Sequence, residues 1–168
     1  MFSLYDASVP VYVRRLTALS AILAKAADYA AKREIEPEAL LGDRLYPDMY
    51  PLLTQVQEAC SHARRGTARL SAVDPVKVEN TEKSFDDLRA LIDRTVATLK
   101  QVDRKAIEGG EARTVTFPSG GGKTSMSAAD YLLHFSMPNF YFHLTTAYAI
   151  LRHNGLEVGK GDFMGGGG

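Results

Sequence analysis

The sequence predicts an all-α protein: a four-helix bundle with one short β-hairpin set between its third and fourth long helices. Four segments repeat apolar residues at steps of three and four, the period that lines up one face of a helix. A single stretch, between Gly109 and Ser125, breaks that pattern with β-prone residues on either side of a glycine run. The balance of 45% hydrophobic and 24% charged residues over 168 positions is that of a globular chain with one continuous core.

In the first segment Val9, Val13, Leu16, Leu19, Leu23, Ala26 and Ala30 fall on one stripe. Ser8 is the expected cap, and Pro10 is tolerated because the first helical turn has no amide partner to lose. A short helical turn is expected over 37–41. The run Pro47-Asp48-Met49-Tyr50-Pro51 then opens the second helix, with Asp48 as its expected cap. Leu52, Leu53, Val56, Ala59, Cys60, Ala63 and Leu70 form the buried side of that helix, which should fade near Ala72, ahead of Asp74-Pro75. The third helix begins near Ser84, where Ser84 and Asp87 have capping-box spacing. Its stripe is Phe85, Leu88, Leu91, Ile92, Val96, Leu99 and Val102.

Thr114-Val115-Thr116-Phe117 is β-prone, Pro118 and the following glycines are loop chemistry, and 123–126 returns antiparallel. The fourth helix starts from Ser127 with Asp130 three residues on, runs to His153-Asn154, and ends at Gly155, a residue suited to the left-handed position. Pro138 lies inside it. Its missing amide and its ring predict a kink that frees the carbonyl of His134. The expected domain spans 1–164, and Gly165 to Gly168 form a flexible glycine tail outside it.

Composition narrows the function. Lys+Arg and Asp+Glu both total 20, so no net field draws in nucleic acid or an anionic membrane. The one basic cluster, Arg64 and Arg65 with Arg69, reads as a solvated helix face. A single cysteine, Cys60, leaves no internal disulfide and no CxxC motif, and its neighbours Val56, Ala59 and Ala63 place it in the core. The opening Met1 to Asp6 lacks a signal-peptide pattern, and no apolar run approaches the ~20 residues of a membrane span. The expected location is the cytoplasm, with no nucleic-acid or membrane partner.

Candidate site residues lie on the second and fourth helices. Gln55, Ala59, His62 and Gly66 form a stripe beside the apolar seam of one. Asn139 and His143 sit one turn apart on the other, with Thr146 and Ile150 continuing the line. Two groups at i and i+4 facing a third from a neighbouring helix are how bundles build metal sites. The same residues also suit a hydrogen-bonded polar cluster, since interior polar groups must be satisfied. His134 and His153 have no partners at metal-like spacing. The aromatic set Tyr131, Phe135, Phe140, Tyr141, Phe142 and Tyr148 reads as core and interface, with Tyr131 also expected to border the polar pocket. No Ser-His-Asp order or paired catalytic carboxylates can be assembled, and Gly120 to Gly122 lie in a hairpin turn instead of a phosphate-binding loop.

The run from Pro138 through His143 and Arg152 to Gly155 resembles the last helix of the DinB/YfiT-like metalloenzyme superfamily. Together with Ser3-Leu4-Tyr5-Asp6, Gln55-Val56-Gln57 and Asp130-Tyr131-Leu132, it is similar over nearly the full length to an uncharacterised branch of short bacterial and fungal proteins. The resemblance implies a DinB-like four-helix bundle. It also implies a divalent metal held by three histidines, one on the second helix and two a turn apart on the last, in proteins that include metal-dependent thiol transferases and hydrolases. Those positions fall on Gln55, Asn139 and His143 here, so two of the three ligands depart from the pattern. Amide oxygens are weaker, harder ligands than imidazole. No carboxylate is expected at the inward positions, and His62 stands two turns, about 10 Å, from Gln55 along the helix axis.

The resulting expectation is a degenerate metal site that keeps a small polar pocket around Gln55, Asn139, His143 and Tyr131, suited to a small-molecule ligand and without a resident cofactor. The alternatives are a zinc, nickel or manganese enzyme, a hydrolase or thiol transferase with an altered ligand set, and a non-enzymatic homodimer. The homodimer would associate through helix faces near Tyr5, Tyr12 and Phe163.

Overall fold

The computed structural model describes residues 3–166. Its framework is four long helices: α1 (Val9–Lys32), α3 (Leu52–Leu70), α4 (Phe85–Lys100) and α7 (Met137–His153), with a short α2 (Pro37–Leu41) after the first. Helix α1 packs along α4, α3 along α7, and α3 also against α4. The apolar stripes read from the sequence meet in the middle. Leu16, Leu23, Leu52, Val56, Ala59, Ala63, Leu88, Ile92, Phe140 and Ile150 are all buried. At about 25 cal/mol per Å² of apolar surface removed from water, this shared core holds the helices together. Cys60 belongs to it, and burial pushes its thiol up to about 12, which makes it an inert core residue.

Helix ends follow local chemistry in most places. Ser84 Oγ accepts from the amide of Asp87 at 3.1 Å while the Asp87 carboxylate accepts from the Ser84 amide, a complete capping box. Gly155 has φ of +88°, the left-handed turn expected beyond α7. Two expected caps are corrected. Ser8 donates to the carbonyl of Leu4 at 2.7 Å and caps nothing, for Pro10 two positions on has no amide to offer it. Asp48 lies a turn too early: α3 starts at Leu52 behind Pro51, and the Leu52 amide is taken by the Asp43 carbonyl. The same helix ends at Leu70, two residues before the expected point.

After a short α5 (Arg104–Ile107), β1 (Thr114–Ser119) and β2 (Gly122–Ser127) pair antiparallel, with Phe117 opposite Thr124. Gly120 and Gly121 both have positive φ, as a two-residue hairpin turn requires. Val115 and Phe117 point into the core while Thr114 and Thr116 face out. Phe117 seats the hairpin on the last helical segment, 4.9 Å from the ring of Tyr131 and 4.4 Å from that of Phe135.

The kink expected at Pro138 takes the form of a π-helical turn, Leu132–Ser136, between α6 (Ala128–Tyr131) and α7. The widened turn accommodates the missing proline amide. It carries Ser136 into the core, where its hydroxyl pairs with that of Tyr12 at 2.8 Å. Gly66 on α3 lies directly beneath, for a Cβ there would stand 2.3 Å from Ser136 Oγ. The exposed faces expected at Tyr5, Tyr12 and Phe163 are not present. Tyr12 is wholly buried, Tyr5 lies under the Arg104 guanidinium, and Phe163 of α8 (Lys160–Met164) packs edge-on against Tyr148. Of the glycine tail, Gly165 and Gly166 close the turn after α8 through bonds to Asp162 and Gly161; positions 1, 2, 167 and 168 lie outside the described residues. No helix among the described residues is long and apolar enough to cross a membrane.

Candidate metal centre

Helices α3 and α7 face each other along their length, and the polar residues on their touching faces converge at one place. His143, buried on α7, is held through Nδ1 at 2.7 Å from Gln55 Oε1. Gln55 is itself fixed, because its Nε2 donates to the carbonyl of Tyr50 at 3.0 Å. That bond sets which end of the amide meets the imidazole. With an oxygen opposite Nδ1, the proton of neutral His143 resides on Nδ1 and the lone pair on Nε2.

The His143 ring lies nearly parallel to that of His62, with centroids 5.3 Å apart and 19° between planes. Tyr50 stacks more distantly at 6.4 Å, and Phe142 stands edge-on at 5.4 Å. His62 shares α3 with Glu58 one turn earlier, their Nε2 and Oε2 3.8 Å apart. Glu58, His62 and His143 each offer one ligand atom, and all of these lie within 4.8 Å of one another.

Both imidazoles are biased toward the neutral form that binds metal. Burial, helped by Arg65, His143 and Arg69, pushes His62 down to about 3. Burial also lowers His143, partly opposed by the Glu58 carboxylate. The Arg65 guanidinium sits 2.8 Å from the same Glu58 Oε2, closer than His62 does. The donor set, two neutral imidazoles and a carboxylate, is one that zinc accepts with an open position. Around an ion at about 2.0–2.2 Å from each ligand, neighbouring donors stand roughly 3.3 Å apart, so small side-chain rotations suffice to close this group.

The four residues expected to form the pocket are distributed as follows. Gln55 and His143 are in direct contact. Asn139 turns its Nδ2 to the Phe135 carbonyl at 2.7 Å, taking up an acceptor in the π turn. The Tyr131 hydroxyl receives a bond from Arg69 at 3.0 Å, and its ring joins the Phe117–Phe135 stack. His134 is exposed, 4.0 Å from Asp130.

Two expectations are corrected: that no carboxylate faces the site, and that His62 lies too far from Gln55 to join it. Gln55 and His62 do lie two turns apart, but the His143 ring spans the gap between them and Glu58 stands midway on the same face. The signal was present as Glu58 and His62 at i and i+4, but axial distance along a single helix hid it.

Residues 4–164 match the family described as "Domain of unknown function (DUF1993)". A crystal structure of a DinB family member protein from Shewanella denitrificans is similar over 96% of this chain and 92% of that one, with 34% sequence identity and a TM-score of 0.88. No protein with a curated description matches. The bundle is therefore DinB-like, its helices joined by a two-stranded hairpin, and the chain belongs to the DUF1993 family of domains of unknown function.

Proposed function

We propose that this protein binds a divalent transition metal between α3 and α7 through Glu58, His62 and His143, with Gln55 orienting His143, and that it is a metal-dependent hydrolase or group transferase. The observation that carries the reading is the convergence of three ligand atoms of the right chemistry within 4.8 Å. A metal held by three protein groups with an open position supplies a water or thiol of lowered pKa. The chain's own residues do the rest. Gln55 keeps the proton of His143 on Nδ1, burial keeps both rings neutral, and Tyr50 and Phe142 wall His143. This ligand set differs from the expected one: Gln55 Oε1 meets His143 Nδ1, and the Asn139 amide turns to the Phe135 carbonyl.

Calorimetric titration of chelator-treated protein with zinc, nickel and manganese tests the reading. One ion per chain is expected, lost in His143→Ala and His62→Ala and weakened in Glu58→Gln. A protein that takes up none of the three is not a metalloprotein of this kind.

One contact favours a second reading, the metal-free polar pocket. Arg65 already neutralises Glu58 at 2.8 Å, and with Gln55 on His143 the polar groups are largely satisfied without an ion. The same titration separates the two, because a satisfied pocket shows no saturable uptake.

A further inference from the structure

The arginines beside the metal group are not wholly solvated. Arg64, Arg65 and Arg69 are each partly exposed, and residues 75–80 line the same cleft. Between this segment and the helix lies a cleft of about 360 Å³ lined by Glu58, Ser61, Arg64, Arg65, Arg69 and Lys77. Glu58 belongs both to this cleft and to the metal group.

Charge in the cleft is unbalanced. Among the described residues, Arg65 is the one arginine or lysine that pairs with Glu58, whose other close neighbour is His62. Arg69 leans over the rings of Phe117 and Tyr131 and bonds the Tyr131 hydroxyl, with no carboxylate in ion-pair reach among the described residues. Arg64 has no ion-pair partner among them either, and its Nε is fully shielded from solvent without any hydrogen-bond acceptor. Shielding one guanidinium donor from water without an acceptor is unfavourable. Arg64, Arg65 and Arg69 line one cleft, and an oxyanion there would meet guanidinium donors, whose geometry matches carboxylate and phosphate.

We infer that this cleft is the subsite for an anionic group, a phosphate or carboxylate, on the small-molecule substrate of the neighbouring metal centre. The inference deepens the metalloenzyme reading and rests on it for the word substrate. The anion site itself stands on the arginines. Its size is in the range of small-molecule pockets, and the zero net charge of the chain leaves no extended field of the kind that gathers a polyanion. Arg65 has a double position. It balances Glu58 while that carboxylate lacks an ion, and becomes free to meet the anion when the carboxylate turns to a metal.

The test uses inorganic phosphate and succinate as probes, titrated separately into the metal-free and the zinc-treated full chain, with metal uptake measured in parallel. Saturable binding of one or both is expected, and which of them binds decides between phosphate and carboxylate as the group. Arg64→Gln and Arg69→Gln are each expected to weaken it by about tenfold or more, the worth of one charge-assisted hydrogen bond. Lys77→Ala, on an exposed segment that leaves the core untouched, should weaken it by a smaller factor and keeps the test open should Arg69→Gln perturb the aromatic stack. Metal uptake should be unchanged in Arg64→Gln. Absence of binding by both probes, or equal binding in wild type and all three variants, overturns the anion site. Anion binding that persists in a protein taking up no metal upholds the anion site and discards the metalloenzyme reading, so the two fail separately.

Discussion

At the scale of single residues, the proposed centre depends on a side chain that is not one of its proposed ligands. Gln55 is held by the Tyr50 carbonyl and in turn holds His143, the kind of outer contact that fixes a ligating imidazole's tautomer and orientation. Gln55→Leu keeps every ligand and is expected to weaken zinc binding by about 10- to 100-fold. Gln55→Glu, which preserves an acceptor, should retain most of it; competition with a colorimetric chelator reads both.

His62 gives a second residue-scale expectation, through linkage. Its folded pKa of about 3 lies below the 6.5 of the free side chain. Between these values the unfolded chain binds the proton and the folded chain does not, so metal-free protein loses stability as pH falls from about 6.5 toward 3. Above about 7 the effect vanishes. His62→Gln should lessen this loss in urea unfolding curves recorded across that window, and a wild-type profile identical to the variant's would show that His62 is not buried neutral.

At the scale of elements, the hairpin acts as a brace for the site. Phe117 packs on Tyr131 and Phe135, and Phe135 in turn lies 6.4 Å from the ring of His62. Removing Phe117 takes away a fully buried aromatic ring, a loss of about 3–5 kcal/mol. Phe117→Ala should therefore lower the midpoint of thermal unfolding and weaken metal binding together. Loss of stability with unchanged affinity would show that the hairpin has no part in positioning His62. The elements were largely legible in the sequence because their signals are local. Ser84 with Asp87 marked the start of α4, Gly155 the end of α7, and the β-prone run before Gly120 the hairpin. The caps at Ser8 and Asp48 differ because Pro10 offers Ser8 no amide and the Asp43 carbonyl takes the amide of Leu52.

At the scale of the whole molecule, what the sequence concealed is what only the fold brings together. Periodicity showed that Gln55 and His143 face the same seam. It did not show that Glu58 and His62 reach the same point, because that depends on how α3 lies against α7. Nor did it show that residues 75–80 line one cleft with Arg64 and Arg69, because that segment carries no periodicity at all; the cluster therefore read as a solvated face. The candidate metal group and the basic cleft lie along one stretch of α3, and Glu58 belongs to both.

The most direct measurement is an anomalous difference map, at the zinc absorption edge, from crystals of chelator-treated protein soaked in zinc. One peak is expected among Glu58, His62 and His143, about 2.0–2.2 Å from each donor atom, with His143 bound through Nε2 and still bonded to Gln55 through Nδ1. A map with no peak there, or with zinc only at surface residues such as His134 and Asp130, would contradict the assignment and leave Gln55 and His143 as a polar pocket.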